Sequence, residues 1–174
     1  MVGVYYKENM SVHKEEQFLR WYEEYSDAIF RHCAFRLSDR EKAKDATQET
    51  FIRLWNYVAE GKEIVSVRSF LYKIANNLII DEYRRKQTFS LDQLQEESGF
   101  DIGFDDRERI QVHDEFERVQ KTIAIIPEQY REVFVMRHID GLSVKEISSI
   151  LNESENVISV RIHRAIEKIK NHYD

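Results

Sequence analysis

Apolar residues recur at intervals of three and four along most of this chain, the period of helices packed on one face and not of strands. From Lys14 to Leu37 the repeating positions are Phe18, Tyr22, Tyr25, Ile29 and Cys33. Residues 1 to about 13 show no clear period and are expected to be a loose lead-in. Ser38-Asp39-Arg40-Glu41 has the form of a capping box with Ser38 as the cap. It opens a helix running to about Val58 that buries Ala43, Thr47, Phe51, Leu54 and Val58. Gly61 ends that helix, and a loop leads into a third helix over Ser66 to Gln87, which contains neither Gly nor Pro.

The period lapses after Gln87 and resumes with Phe116, Val119, Ile123 and Ile126. Pro127 starts a fresh helix, where its missing amide costs nothing. That helix runs to about Ile139, and Asp140-Gly141 turns the chain. Ser143, with Glu146 three residues on, caps a short helix that turns Val144, Ile147, Ile150 and Leu151 inward. Asn152-Glu153 forms a tight turn, Asn being one of the few residues that tolerate a left-handed backbone. Ser154 caps the last helix, whose apolar stripe is Ile158, Ile162, Ala165, Ile169 and Tyr173. A short helix, a tight turn and a longer helix make a helix-turn-helix. The expected fold is therefore all-α: two small helical domains, 14–87 and 111–174, joined by a flexible acidic linker, 88–110.

Composition agrees with long helices and short connections, because only five Gly and one Pro punctuate 174 residues. The net charge of −6 would argue against a nucleic-acid partner if it were evenly spread. It is not. Thr88 to Glu117 holds ten acids against Arg107 and Arg109, a local −8 that leaves the rest of the chain at +2. A segment so charged and so poor in periodic apolar residues is expected to be mobile. One cysteine, Cys33, excludes an internal disulfide, and its place on an apolar stripe marks it as a small core residue. No membrane span or signal peptide is visible, so the protein is expected to be cytoplasmic with no membrane insertion.

Two faces carry candidate chemistry. On the third helix Phe70, Leu71, Ile74, Ala75 and Leu78 form the face expected to be buried. The opposite side carries Tyr72, Lys73, Asn76, Ile80, Tyr83 and Arg84. Aromatic rings stack on unpaired bases and cations follow phosphates, so this is a composition suited to a single strand. The competing reading is a helix buried on two sides, and from this helix alone the two stand even. On the last helix Asn156, Ser159, Val160, Arg161, His163 and Arg164 lie on or beside an outer face of small, polar and basic groups near the N-terminal end, the end that enters a major groove. The ordinary helical hairpin is the alternative there, with an outer face of Glu and Lys.

Together these pieces resemble a bacterial sigma factor of the extracytoplasmic-function type, over about residues 15 to 173. Three stretches carry the resemblance: DATQETFIRLW (Asp45 to Trp55), SFLYKIANNLIIDEYRRK, and the C-terminal stretch IIPEQYREVFVMRHIDGLSVKEISSILNESENVISVRIHRAIEKIK. The resemblance implies a transcription initiation factor that binds core RNA polymerase and recognises and melts promoter DNA. In that reading Asp45, Gln48, Glu49 and Ile52 grip the polymerase. Arg68, Tyr72, Lys73, Asn76, Ile80, Tyr83 and Arg84 meet the melted minus-ten strand, with the loop from Glu63 to Arg68 holding a flipped base. Asn156, Ser159, Val160, Arg161, His163 and Arg164 read the minus-thirty-five duplex. An anti-sigma factor or other regulator is implied as a further partner. The chain departs from the family pattern at Phe70, where Trp is frequent, at Ser159 in place of a usual base, at Val160 in place of Ser, and at Glu155, an added acid. The chain ends at Asp174, so no additional C-terminal domain is expected.

Two rivals remain from the residues. A stand-alone helix-turn-helix regulator leaves the tyrosine and basic face unexplained. An enzyme acting on nucleic acid lacks a site: His13, His32, His113, His138, His163 and His172 are scattered, and there is no phosphate-cradling loop or nucleophile elbow. Asp45 and Glu49 stand four apart on one helix face, a pattern that is usually surface charge. No catalytic residue, metal ligand or cofactor is expected.

Overall fold

The computed structural model describes residues 2–89 and 118–173, and the side chains within 13–85 and 118–173. The expected linker lies, apart from its first two residues, outside the described residues. Every described element is helical: α1 (Val2–Leu37), α2 (Arg40–Ala59), α3 (Val67–Phe89), α4 (118–125), α5 (Glu128–Phe134), which passes into a π-helical turn at Val135–Ile139, α6 (Val144–Leu151) and α7 (Glu155–Tyr173).

The first three helices form the N-terminal bundle. The five α2 residues expected inside, Ala43, Thr47, Phe51, Leu54 and Val58, are all buried, joined by Thr50. The two buried threonines cost little, because their hydroxyls donate to the carbonyls of Ala43 and Ala46 on their own helix. Two boundaries differ from expectation. The chain from residue 2 is helical and continuous with α1, since nothing between Val4 and Leu37 breaks a helix even where no apolar period is present. The cap of α2 is Asp39, whose carboxylate accepts from the Lys42 amide, and not Ser38. Ser38 instead adopts a left-handed backbone (φ 51°) that closes α1.

In the C-terminal half Ser143 and Glu146 form the expected reciprocal capping box. Asn152 takes the left-handed conformation (φ 55°) and turns α6 into α7. The π-helical turn carries the chain one residue wide of α-helical register, with the Asp140 amide donating to the Val135 carbonyl. It directs Val135 and Met136 inward and ends at Asp140-Gly141, Gly141 supplying the positive φ of the turn.

The two halves are packed on one another. A single buried cluster runs from Ile29, Leu54, Leu71 and Ala75 to Val133, Met136, Leu142 and Ile147. Helices α1 and α3 meet the π turn and α6 across this seam.

Candidate nucleic-acid interface

Helix α2 presents the outward row expected of it. Asp45 and Gln48 are exposed, Glu49 is held 2.7 Å from Arg53 one turn on, and Ile52 is 53% exposed. Beside this row lies a groove of ≈ 720 Å³ between α1 and α2, lined by Phe18, Leu19, Tyr22, Phe51, Ile52 and Trp55. Leu19 and Tyr22 are about half exposed, so an apolar strip flanks the acidic one.

The α3 face is divided. Lys73 and Arg84 are exposed, Arg84 beside Asp81 at 3.8 Å, and Ile80 is half-buried. Tyr72 and Asn76, expected to face outward, are 1% and 3% exposed. The reason is α1. The apolar residues of α3 do not form one stripe; Leu71, Ala75 and Ile79 share the interior with the next residue round at each turn. Tyr72 packs edge-on against the His32 ring at 5.2 Å. Asn76 accepts a hydrogen bond from Arg36 at 3.2 Å. Tyr83 is half-buried, its hydroxyl donating to the Arg36 carbonyl and its ring under the Arg36 guanidinium at 5.8 Å. Burial pushes the Tyr72 hydroxyl's pKa well above its ordinary value, with the Asp140 carboxylate adding to the rise. Of the two readings of α3, the doubly buried helix describes its packing in this conformation. The outward ridge of α3 is instead Lys73, Asn77, Asp81 and Arg84. Asn77 was missed because a choice between neighbouring asparagines turns on one helical step of about 100°.

Arg68, at the start of α3, donates to the Asp140 carbonyl at 2.8 Å and lies 3.5 Å from Glu146. In the loop before it Val65 is fully exposed and Ile64 packs on the core. His32 and Arg36 were likewise missed as partners of this face. Their signal was present: two polar groups, four apart, bracketing Cys33 on an otherwise buried stripe. His32 lies 2.7 Å from Asp140, and Arg36 donates to Glu128 at 2.8 Å with Glu132 at 3.8 Å.

Helix α7 is open. Asn156, Ser159, Val160, His163 and Arg164 are exposed, while Arg161 turns aside and pairs with Glu153 at 2.9 Å. His163 is 3.3 Å from Glu167, and the Ser159 hydroxyl donates to the Glu155 carbonyl. Ile158 and Ala165 hold the opposite side in the core. Among the described residues no cluster of His, Cys, Asp or Glu suited to a metal is present, and no helix is long and apolar enough to cross a membrane.

These elements match known proteins in the same order. Residues 21–89 match the Sigma-70 region 2 family and residues 116–169 match Sigma-70 region 4. The ECF RNA polymerase sigma factor SigW of Bacillus subtilis is 30% identical over 155 residues, covering 84% of this chain and 83% of the relative. The RNA polymerase sigma factor YlaC of the same organism is 27% identical over 158 residues, covering 90% and 89%. The fold is that of CnrH in complex with the cytosolic domain of CnrY, with TM-score 0.70, 21% identity and 95% of each chain covered. It is also that of the sigma factor RpoE in complex with the anti-sigma factor NepR from Bartonella quintana, with TM-score 0.70, 16% identity, and 90% of this chain and 96% of that one covered. With both sigma regions present in order, and a relative at this identity matched over most of both chains, the chain belongs to the ECF RNA polymerase sigma factors and directs transcription initiation as an alternative sigma factor.

Proposed function

We propose that α2 docks core RNA polymerase through Asp45, Gln48, Glu49 and Ile52, that α3 meets the melted minus-ten strand, and that α7 reads the minus-thirty-five duplex. The proposed domains are 14–87 for polymerase binding and promoter opening and 111–174 for upstream recognition, with 88–110 between them. The observation that carries the reading is the α2 row. An isoleucine more than half exposed at the end of an acidic row, beside an apolar groove, is poor design for a solvated face and apt for a partner that offers apolar and basic groups side by side. On α3 the exposed Lys73 and Arg84 supply phosphate contacts, Arg68 joins on release from Asp140 and Glu146, and Tyr72, Asn76, Ile80 and Tyr83 complete the face on its α1 side. On α7 the exposed Asn156, Ser159, Val160, His163 and Arg164 offer hydrogen bonds, one apolar contact and charge to a major groove, and Arg161 backs them.

The protein acts without catalysis of its own, in the cytoplasm where polymerase is. An anti-sigma factor is a further partner, in keeping with the complex in which the RpoE structure was determined. The test is Glu49→Lys. The substitution is on the surface and should change stability by no more than about 0.5 kcal/mol, yet reduce binding of core polymerase several-fold in a pull-down or fluorescence titration. Unchanged affinity in a folded Lys variant would remove the α2 assignment.

A further inference from the structure

Helix α7 begins with an acid that its own fold does not require. Glu155 is the first residue of the helix, exposed, at the end suited to enter a major groove. The cap is supplied by Ser154, whose hydroxyl accepts from the Val157 amide and whose carbonyl accepts from the Ile158 amide. One turn on stand Ile158, which is buried, and Ser159, so no cation sits at helical spacing to pair with the carboxylate. Arg161 is held by Glu153 at 2.9 Å, and His163 lies 3.3 Å from Glu167. Arg164 is about 13 Å further along the axis at the helical rise. Attraction to the helix dipole remains, a small and screened contribution at an exposed site. Against it stands the repulsion between a carboxylate and the phosphates of any duplex that α7 reads.

We infer that Glu155 is a specificity-determining residue of α7, accepting from the N4 amino group of one cytosine in the upstream promoter element. The inference rests on the proposed role of α7 as the duplex reader. An ionised carboxylate accepts hydrogen bonds and donates none. In the major groove guanine shows only acceptors, and thymine an acceptor and a methyl group, so both repel Glu155 or leave it unpaired. Adenine has an amino donor but sets its N7 acceptor beside it, against the second carboxylate oxygen. Cytosine alone offers a donor with no acceptor next to it. The neighbouring side chain does not compete for that base. The Ser159 hydroxyl already donates to the Glu155 carbonyl, and its small size leaves the approach to the carboxylate open. The outer face is therefore polarised, with an acceptor at Glu155 and a cationic donor at Arg164, and the two ends call for different bases.

The test uses the full chain assembled on core polymerase and a library of promoter duplexes randomised across the minus-thirty-five element. Bound duplexes are sequenced for the wild type, Glu155→Gln, Glu155→Ala and Arg164→Ala, and each protein is melted thermally. The wild type is expected to favour cytosine at one position by about tenfold, the usual size of a single base discrimination. Glu155→Ala should lose that preference and keep those at other positions. Glu155→Gln should move it towards adenine, which presents the donor and acceptor that an amide matches. Identical base preferences for the wild type and both Glu155 variants would overturn the inference, and a lowered melting temperature without a change of preference would return Glu155 to a helix-end role. Arg164→Ala judges α7 itself. If it alters the selected sequences while the Glu155 variants do not, only the present inference falls; if it leaves every preference intact, the reading role of α7 falls with it.

Discussion

Helices α3 and α7 both carry residues suited to promoter DNA, and they stand in opposite environments. On α7 the outer face carrying Asn156, Ser159, Val160, His163 and Arg164 is open and only the back of the helix is packed. On α3 the tyrosines and Asn76 are drawn inward by α1 and the C-terminal half, and only Lys73, Asn77, Asp81 and Arg84 remain outside. The difference suits the ligand proposed for each. A duplex offers its major groove without rearrangement, so its reader can be finished in advance. An unpaired strand exists only after melting, and the apolar groups that stack on its bases would otherwise lie in water. Packing them within the protein removes their apolar surface from water and stabilises the free chain.

The comparison can be tested most sharply at Cys33, on the buried stripe of α1. Burial raises its pKa from 9.0 to about 12, so its reaction with a thiol reagent near pH 8 should be slower than that of a free cysteine by a factor on the order of 1000. Labelling at an unhindered rate in the native protein would mean that the inner face of α1 is not packed in the core. Next in size is Tyr72→Ala. The ring is buried, and truncation of a large buried aromatic costs about 3–5 kcal/mol, read as a lowered denaturant midpoint. Tyr72→Phe should keep most of that stability. A loss of less than 1 kcal/mol for the Ala variant would put Tyr72 on the surface and end the contrast with α7.

Substitutions on α7 should behave in the reverse way. Arg164→Ala is expected to leave stability within about 0.5 kcal/mol while weakening binding to an upstream promoter duplex by about 1–3 kcal/mol, if the group meets a base edge. A fall in melting temperature with unchanged DNA affinity would contradict the open face. Lys73→Ala on α3 should have a smaller effect, reducing the salt dependence of strand binding by about one unit of slope and weakening all sequences alike. The smallest effect belongs to Glu146. Its pKa lies below the ordinary 4.5, chiefly through the hydrogen bond from the Ser143 amide, then that from the Ser143 hydroxyl. A depressed carboxylate pKa contributes stability that is present above the ordinary value and is lost as pH falls through the folded one. Glu146→Gln should therefore flatten the acid limb of stability below about pH 4.5 and leave it nearly unchanged at pH 7. An acid limb as steep as wild type would show that the capping box does not titrate.

The sequence by itself determined the helices, the caps at Ser143 and Asn152, the α2 interior and the outward rows of α2 and α7. These depend on local hydrogen bonds and on a period of 3.6 residues, both of which are written in neighbouring positions. The end of α1 at Leu37 was placed correctly, but the start of α2 was misplaced by one residue, because Ser38 and Asp39 are both sound caps and only the left-handed turn at Ser38 chooses between them. The lead-in before Lys14 was misread because lack of an apolar period does not stop a helix that nothing breaks. What only the tertiary structure decided is which side of α3 faces water. A helix with apolar or aromatic groups on both sides can be buried twice or can hold one side ready for a ligand, and its own residues are the same in either case. The choice lies with His32 and Arg36 on another helix and with Glu128, Glu132 and Asp140 about a hundred positions along the chain. Contacts at such separation leave no periodic trace in α3, so the environment of Tyr72 and Asn76 is a property of the assembled seam.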